Sequence, residues 1–177
     1  PDTLVFITPH GNVFQDAISV LAGPELTGDL GNFGHPEINF AHANDLSFLA
    51  ALAKKVKNTG IDMVLVEDSR YRLNPHLDHG ITAPLFYLEE AGLKDTPLLA
   101  LSYGLLPRID LYRFGMLIQE AAADLGRRAA VVASGDMSHR LKNDGPYGFN
   151  PAGPEFDGRI KELLEKGDFL KVLDLPE

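Results

Sequence analysis

The residues best suited to chemistry in this sequence are its histidines. The chain has six histidines and no cysteine, which excludes cysteine nucleophiles and thiolate metal sites and leaves His, Asp and Glu as the possible metal ligands. Imidazole is both a common metal ligand and the side chain that exchanges protons near neutral pH. Three histidines stand in short motifs: His10 in TPHG, His79 in LDHG and His139 in SGDMSH. The other three, His35, His42 and His76, follow no strand as clearly and are not assigned to a site.

The elements that position these histidines can be predicted from the apolar pattern. Short apolar runs at residues 4–8, 63–66, 98–102 and 129–133 predict buried strands. Helical spacing is found at residues 44–60, 81–92, 114–126 and 154–167. Strands that alternate with helices predict an α/β fold, with a mostly parallel central sheet flanked by helices. We expect residues 1–177 to form a single domain of this kind.

The polar residues that directly follow the predicted strands are the candidates for a site. His10 follows the first predicted strand, Glu67 and Asp68 follow the second, and His139 follows the last. Ligands bind beyond the carboxyl ends of the strands in open α/β sheets, so we expect these side chains at one edge. His79 stands at the start of a predicted helix, where it either faces a substrate or is exposed beside a helix cap formed by Asp78.

The charge and the hydropathy pattern exclude several classes of partner. The formal net charge of −9 disfavours nucleic acid and anionic membrane surfaces. No window is long and apolar enough to span a membrane, and the start lacks the pattern of a signal peptide, so we expect a cytoplasmic protein. Neither GxGxxG nor a phosphate-binding loop is present.

The residues leave the type of site open. A Ser-His-Asp triad from Ser138, His139 and Asp136 is disfavoured because triad members come from separate parts of a chain. A zinc hydrolase is disfavoured because no HExxH motif occurs. Histidine with carboxylate suits Fe(II), Zn(II) or Mn(II). The pattern therefore indicates a histidine-rich crevice, without selecting its metal.

Four motifs in order, TPHG, LDHGITAPLFYL, ASGDMSHRL and GPYGFNPAGPEFD, resemble the class III extradiol ring-cleavage dioxygenases. This superfamily contains the protocatechuate-type ring openers and the Memo proteins. The resemblance is greatest to the branch associated with AmmeMemoRadiSam systems. It implies a non-haem Fe(II)-dependent domain that opens a catechol-like ring with O2. It further implies His10 as an iron ligand, His139 as the catalytic acid/base, and His79 as a catalytic residue at the substrate.

The same resemblance carries expectations about context. The family's other histidine ligand and its glutamate ligand belong to segments outside these residues, so we expect an excerpt of a longer chain. The alternative function is a Memo-like binding or regulatory module, with an AMMECR-type domain or a radical-SAM protein as partner. Zinc or manganese is the alternative to iron. A homodimer is the expectation for a soluble enzyme in general.

Overall fold

The computed structural model describes residues 1–175 and divides into two compact units. The first unit comprises Pro1–Ser134, and the second begins at Gly135. The expectation of a single domain over 1–177 stays a prediction. Among the described residues, no helix has the length and apolar character needed to cross a membrane.

The first unit contains all the strands of the described chain. A five-stranded sheet has the order β5-β2-β6-β1-β7, and a separate two-stranded hairpin is formed by β3 and β4. The strands are β1 (Thr3–Thr8), β2 (Ala17–Leu21), β3 (Glu25–Leu30), β4 (His35–Ala43), β5 (Asp62–Val66), β6 (Leu98–Ser102) and β7 (Ala129–Ala133). The predicted class is confirmed, because β1 runs parallel to β6 and β7, and β2 runs parallel to β5.

Three helices of the first unit cover the two faces of the sheet. They are α1 (Leu46–Val56), α2 (His79–Leu88) and α3 (Arg108–Asp124). Alternate residues of β1 point to opposite faces: Val5 packs in a cluster with α1 and α3, whereas Leu4 and Phe6 pack in a cluster with α2 and the hairpin. Burial on both faces explains why the strand reads as a continuous apolar run.

One pair of neighbouring strands is antiparallel, and this changes which residues lie at the same end of the strands. β2 pairs antiparallel with β6, so β2 and β5 run against β1, β6 and β7. The carboxyl end of β5 therefore lies at the same end of the sheet as the amino end of β6. The prediction that Glu67 and Asp68 share an edge with His10 is wrong, because it assumed that all four predicted strands run in one direction.

The second unit is helical. It contains α4 (Ala152–Lys166) and α5 (Phe169–Leu173), preceded by an irregular segment that carries His139. Gly167 ends α4 in the left-handed conformation with φ of 70°, and its N–H donates to a carbonyl of the last turn. This is the ordinary reason for a glycine directly after a helix.

Candidate functional site

A cleft of about 650 Å3 lies in the first unit, between the turn after β1, the start of α2 and the β3–β4 hairpin. The turn contributes His10, and the helix start contributes His79. The lining also includes Asp29, Asn32, Phe33 and Asn39 of the hairpin, and Asn74, His76 and Asp78 of the loop before α2. Two of the three predicted site histidines therefore line one cleft.

The imidazole rings of His10 and His79 lie against each other in the lining of this cleft. Their centroids are 4.0 Å apart and their planes are tilted by 31°. Both residues are exposed, so a molecule in the cleft can reach either ring. Such a pair can bind or orient a small molecule and exchange protons with it.

His79 is held by the local structure at the helix start. Asp78 is the N-cap of α2, and its side chain accepts a hydrogen bond from the Gly80 N–H at 2.8 Å. Asp78 therefore caps the helix, as one of the two predicted alternatives states. His79 also lines the cleft, so the helix cap and the placement of His79 in the cleft occur together. The cap fixes the first turn, from which the His79 ring projects toward His10.

The hairpin supplies an aromatic wall that the sequence analysis missed. Phe33 lies in the short turn between β3 and β4, and its ring meets His79 edge-on with centroids 5.8 Å apart. The side chain is 57% exposed despite its size, because it faces the cleft opening and not the core. A Gly-rich turn around an aromatic residue, GNFG, was the available signal, but it did not show where the turn would fold.

His139 lies in the second unit, in a segment fastened to α4. The Asp157 carboxylate accepts a hydrogen bond from the Ser138 N–H at 2.8 Å. The His139 ring stacks on Tyr147 with centroids 5.2 Å apart, and its Nε2 is 3.7 Å from Asp136 Oδ2. That distance exceeds a hydrogen bond, and Ser138 Oγ instead accepts from the Arg140 N–H. The segment therefore presents an exposed imidazole and no Ser-His-Asp relay.

The three histidines left unassigned have local roles. His42 is buried, with its Nδ1 3.1 Å from the Thr96 carbonyl oxygen and its Nε2 2.8 Å from Glu89. His35 is exposed beside Glu37. His76 Nδ1 is 3.1 Å from Thr27 Oγ1 and links the loop before α2 to the hairpin.

Asp68, one of the two acidic residues after β5, pairs with the neighbouring Arg70. The side-chain hydrogen bond from Arg70 lowers the pKa of Asp68, and a backbone hydrogen bond from the same residue acts in the same direction. Asp68 thus forms an exposed ion pair, and it lies at the opposite end of the strands from His10. It takes no part in the histidine cleft.

The described side chains do not complete a metal site by themselves. Within residues 1–175, no group of three or more His, Cys, Asp or Glu side chains is arranged to hold a metal ion. The donors that line the cleft are suitable in type, since imidazole and carboxylate both bind Fe(II). A metal bound at His10 would therefore need further ligands.

These features define an α/β protein with a histidine-containing cleft at a strand end. A family model described as the catalytic LigB subunit of aromatic ring-opening dioxygenase matches residues 1–177. The chain belongs to this family, which confirms the resemblance seen in the four motifs. Protein CA_C1420 of Clostridium acetobutylicum is 33% identical over 178 residues, which cover 99% of this chain and 38% of that protein. The chain thus spans about two fifths of that relative.

Proposed function

We propose that this chain is the catalytic domain of an extradiol-type dioxygenase that opens a catechol-like ring with O2. The observation that carries the proposal is the His10–His79 ring pair, in a cleft walled by Phe33. Family membership supports the same class of reaction. An aromatic substrate fits a cleft of about 650 Å3 with an aromatic wall, because rings pack favourably in edge-to-face and offset arrangements.

We propose Fe(II) as the metal, with zinc or manganese as alternatives. His10 would supply one ligand, and the others would come from residues beyond those described. The redox chemistry of ring opening would belong to the ion, whereas the protein supplies binding, orientation and proton transfer.

The proposed roles of the other two histidines concern protons. His79 would hold the substrate through a hydrogen bond to a phenolic oxygen, since its ring lies against both His10 and the aromatic wall. His139 would take a phenolic proton as general base and return a proton during ring opening. Its exposed imidazole is the property that supports this role.

The test combines metal content with turnover in the full-length protein. The protein is loaded with Fe(II) without oxygen, its iron is measured by elemental analysis, and O2 uptake is followed with a panel of catechols. We expect His10→Ala to lose iron, and His139→Ala to keep iron while losing turnover. His35→Ala is the matched control, because this histidine is exposed and lies outside the cleft lining.

Two results would overturn the proposal. Unchanged turnover of every responsive catechol in His139→Ala would remove the proposed base. An absence of bound iron, zinc or manganese in the full-length protein, together with no O2 uptake, would favour a Memo-like binding or regulatory module.

A further inference from the structure

One carboxylate oxygen joins the two segments that carry the histidine pair. Asp78 Oδ1 accepts a hydrogen bond from the Gly80 N–H at 2.8 Å and another from the Thr8 hydroxyl at 2.7 Å. The Thr8 hydroxyl oxygen in turn accepts from the His10 N–H at 3.1 Å. The end of β1 and the first turn of α2 are therefore connected through a chain of hydrogen bonds.

The two segments also meet at close range. A Cβ atom at Gly80 would overlap Thr8 Oγ1 and would lie 3.2 Å from the Cδ2 atom of His10. A Cβ atom at Gly11 would overlap the Ser102 hydroxyl and lie 3.3 Å from Asp78 Oδ2. The backbone of each segment thus approaches the side chains of the other, and small shifts of either would move the rings.

We propose that Thr8 and Asp78 are positioning residues that set the spacing of the His10 and His79 rings. The catalytic consequence rests on the function proposed above, whereas the geometric part does not. Thr8 is 1% exposed, so its hydroxyl cannot exchange its partners for water without moving. A hydroxyl is required because it donates to Asp78 and accepts from the His10 N–H at once.

The role differs from ordinary helix capping. A cap needs only the acceptor for Gly80, which Asp78 supplies whether or not Thr8 is present. The bond from Thr8 is the additional element, because it connects the capped turn to the strand that leads to His10. Removing the Thr8 hydroxyl therefore leaves the cap intact and breaks the link between the rings.

The chain offers a matched control for losing a buried threonine hydroxyl. Thr82 lies on α2, is fully buried, and its hydroxyl has no hydrogen-bond partner within the described part of the chain. Thr82→Val removes the same atoms as Thr8→Val from a nearby buried site, without breaking a hydrogen bond. Thr8→Ser keeps the hydroxyl and serves as the rescue.

The experiment compares Thr8→Val, Thr8→Ser and Thr82→Val in the full-length protein. Nuclear Overhauser effects between the His10 and His79 ring protons report ring spacing, and titration with 4-nitrocatechol reports binding. We expect Thr8→Val to lose the ring contacts and to bind 4-nitrocatechol about tenfold more weakly, because misplaced groups lose a large part of their effect. Thr8→Ser and Thr82→Val should keep the contacts and the affinity.

A second pair of variants covers the case in which Thr8→Val does not fold. Asp78→Asn keeps an acceptor oxygen for both donors, whereas Asp78→Ala removes it. We expect the ring contacts to persist in Asp78→Asn and to be lost in Asp78→Ala.

The failures of the two proposals can be told apart. Unchanged ring contacts in both Thr8→Val and Asp78→Ala would overturn the positioning role, whatever the protein binds. If Thr8→Val separates the rings although the native protein does not bind 4-nitrocatechol or consume O2 with any catechol, the positioning role stands and the proposed function fails.

Discussion

The imidazole rings of His10 and His79 lie 4.0 Å apart between centroids, although one follows strand β1 and the other begins helix α2. Each is held by backbone geometry at the end of a regular element, and both line the same cleft. Two imidazoles placed this way can have different roles in one site, one as a metal ligand and the other as a hydrogen-bonding group for a substrate.

The first prediction separates these two tasks. His79→Ala should keep the iron content of the native protein and lower kcat on a responsive catechol by about a hundredfold, because a positioned proton donor or acceptor contributes roughly that much. Iron analysis and steady-state O2 uptake measure the two effects. Loss of iron in His79→Ala would instead make this histidine a metal ligand.

The second prediction concerns the aromatic wall. Phe33→Ala should raise KM for a catechol about fivefold with little change in kcat, because a ring contact worth roughly 1 kcal/mol is lost from binding. The fold should tolerate the change, since this side chain is 57% exposed. Tyr71→Ala is the control, because Tyr71 is 91% exposed and lies outside the cleft lining. Equal KM values in the two variants would contradict the role of the wall.

The third prediction concerns the charge of the substrate. The hairpin contributes the exposed Asp29 to the cleft lining, and its carboxylate accepts a hydrogen bond from the Gly31 N–H. A catechol with an ammonium group on its side chain should therefore bind about tenfold more tightly than one with a carboxylate, because the Asp29 carboxylate attracts a positive charge in the cleft and repels a negative one. Asp29→Asn should reduce this ratio. A ratio that favours the carboxylate, unchanged in Asp29→Asn, would contradict the prediction.

Four strands of the central sheet were predicted, and β2 was missed although it is buried at every position. Leu98–Ser102 is also buried at every position, and its sequence is an apolar run as far as Leu101. His35–Ala43 was missed because it is largely exposed, contains Pro36, and pairs only with β3. The apolar pattern also did not show that β5 runs against β1, β6 and β7, since the pattern of a strand does not show its direction.

The site residues also divide into those that the sequence could predict and one that it could not. His10 and His79 could be nominated because each follows a local boundary, a strand end or a helix cap. Phe33 could not, because its place in the cleft depends on how the hairpin folds back over α2, which is a long-range contact. The sequence therefore allowed the two histidines to be predicted as site residues, whereas it did not predict the aromatic side chain that forms one wall of the cleft.

The fourth prediction uses a buried carboxylate away from the cleft. Burial raises the pKa of Asp45, but hydrogen bonds from Thr3, Ser47 and the Phe48 N–H, together with the Arg127 ion pair, outweigh it and lower the pKa. A carboxyl group with a lowered folded-state pKa contributes stability above its unfolded pKa, and that stability is lost as the pH falls through the folded value.

Asp45→Asn should therefore lower the free energy of unfolding by about 2 kcal/mol at pH 7, because it leaves a partly buried arginine without its charge partner. The difference from the native protein should shrink progressively below about pH 4. Urea unfolding at several pH values measures it. Asp124→Asn, which removes an exposed carboxylate paired with Lys55, should leave the free energy of unfolding nearly unchanged. A pH-independent difference would contradict the charge argument.

The fifth prediction concerns the buried His42. The Thr96 carbonyl can only accept, so Nδ1 of the ring carries a hydrogen, and Glu89 partners Nε2. Glu89→Ala would leave that buried nitrogen without its partner and should lower the free energy of unfolding by about 2 kcal/mol. Glu89→Gln should be better tolerated, because its side-chain amide can still hydrogen-bond Nε2. Glu90→Ala, at an exposed position, is the control, and equal losses in Glu89→Ala and Glu90→Ala would show that the buried pair contributes nothing.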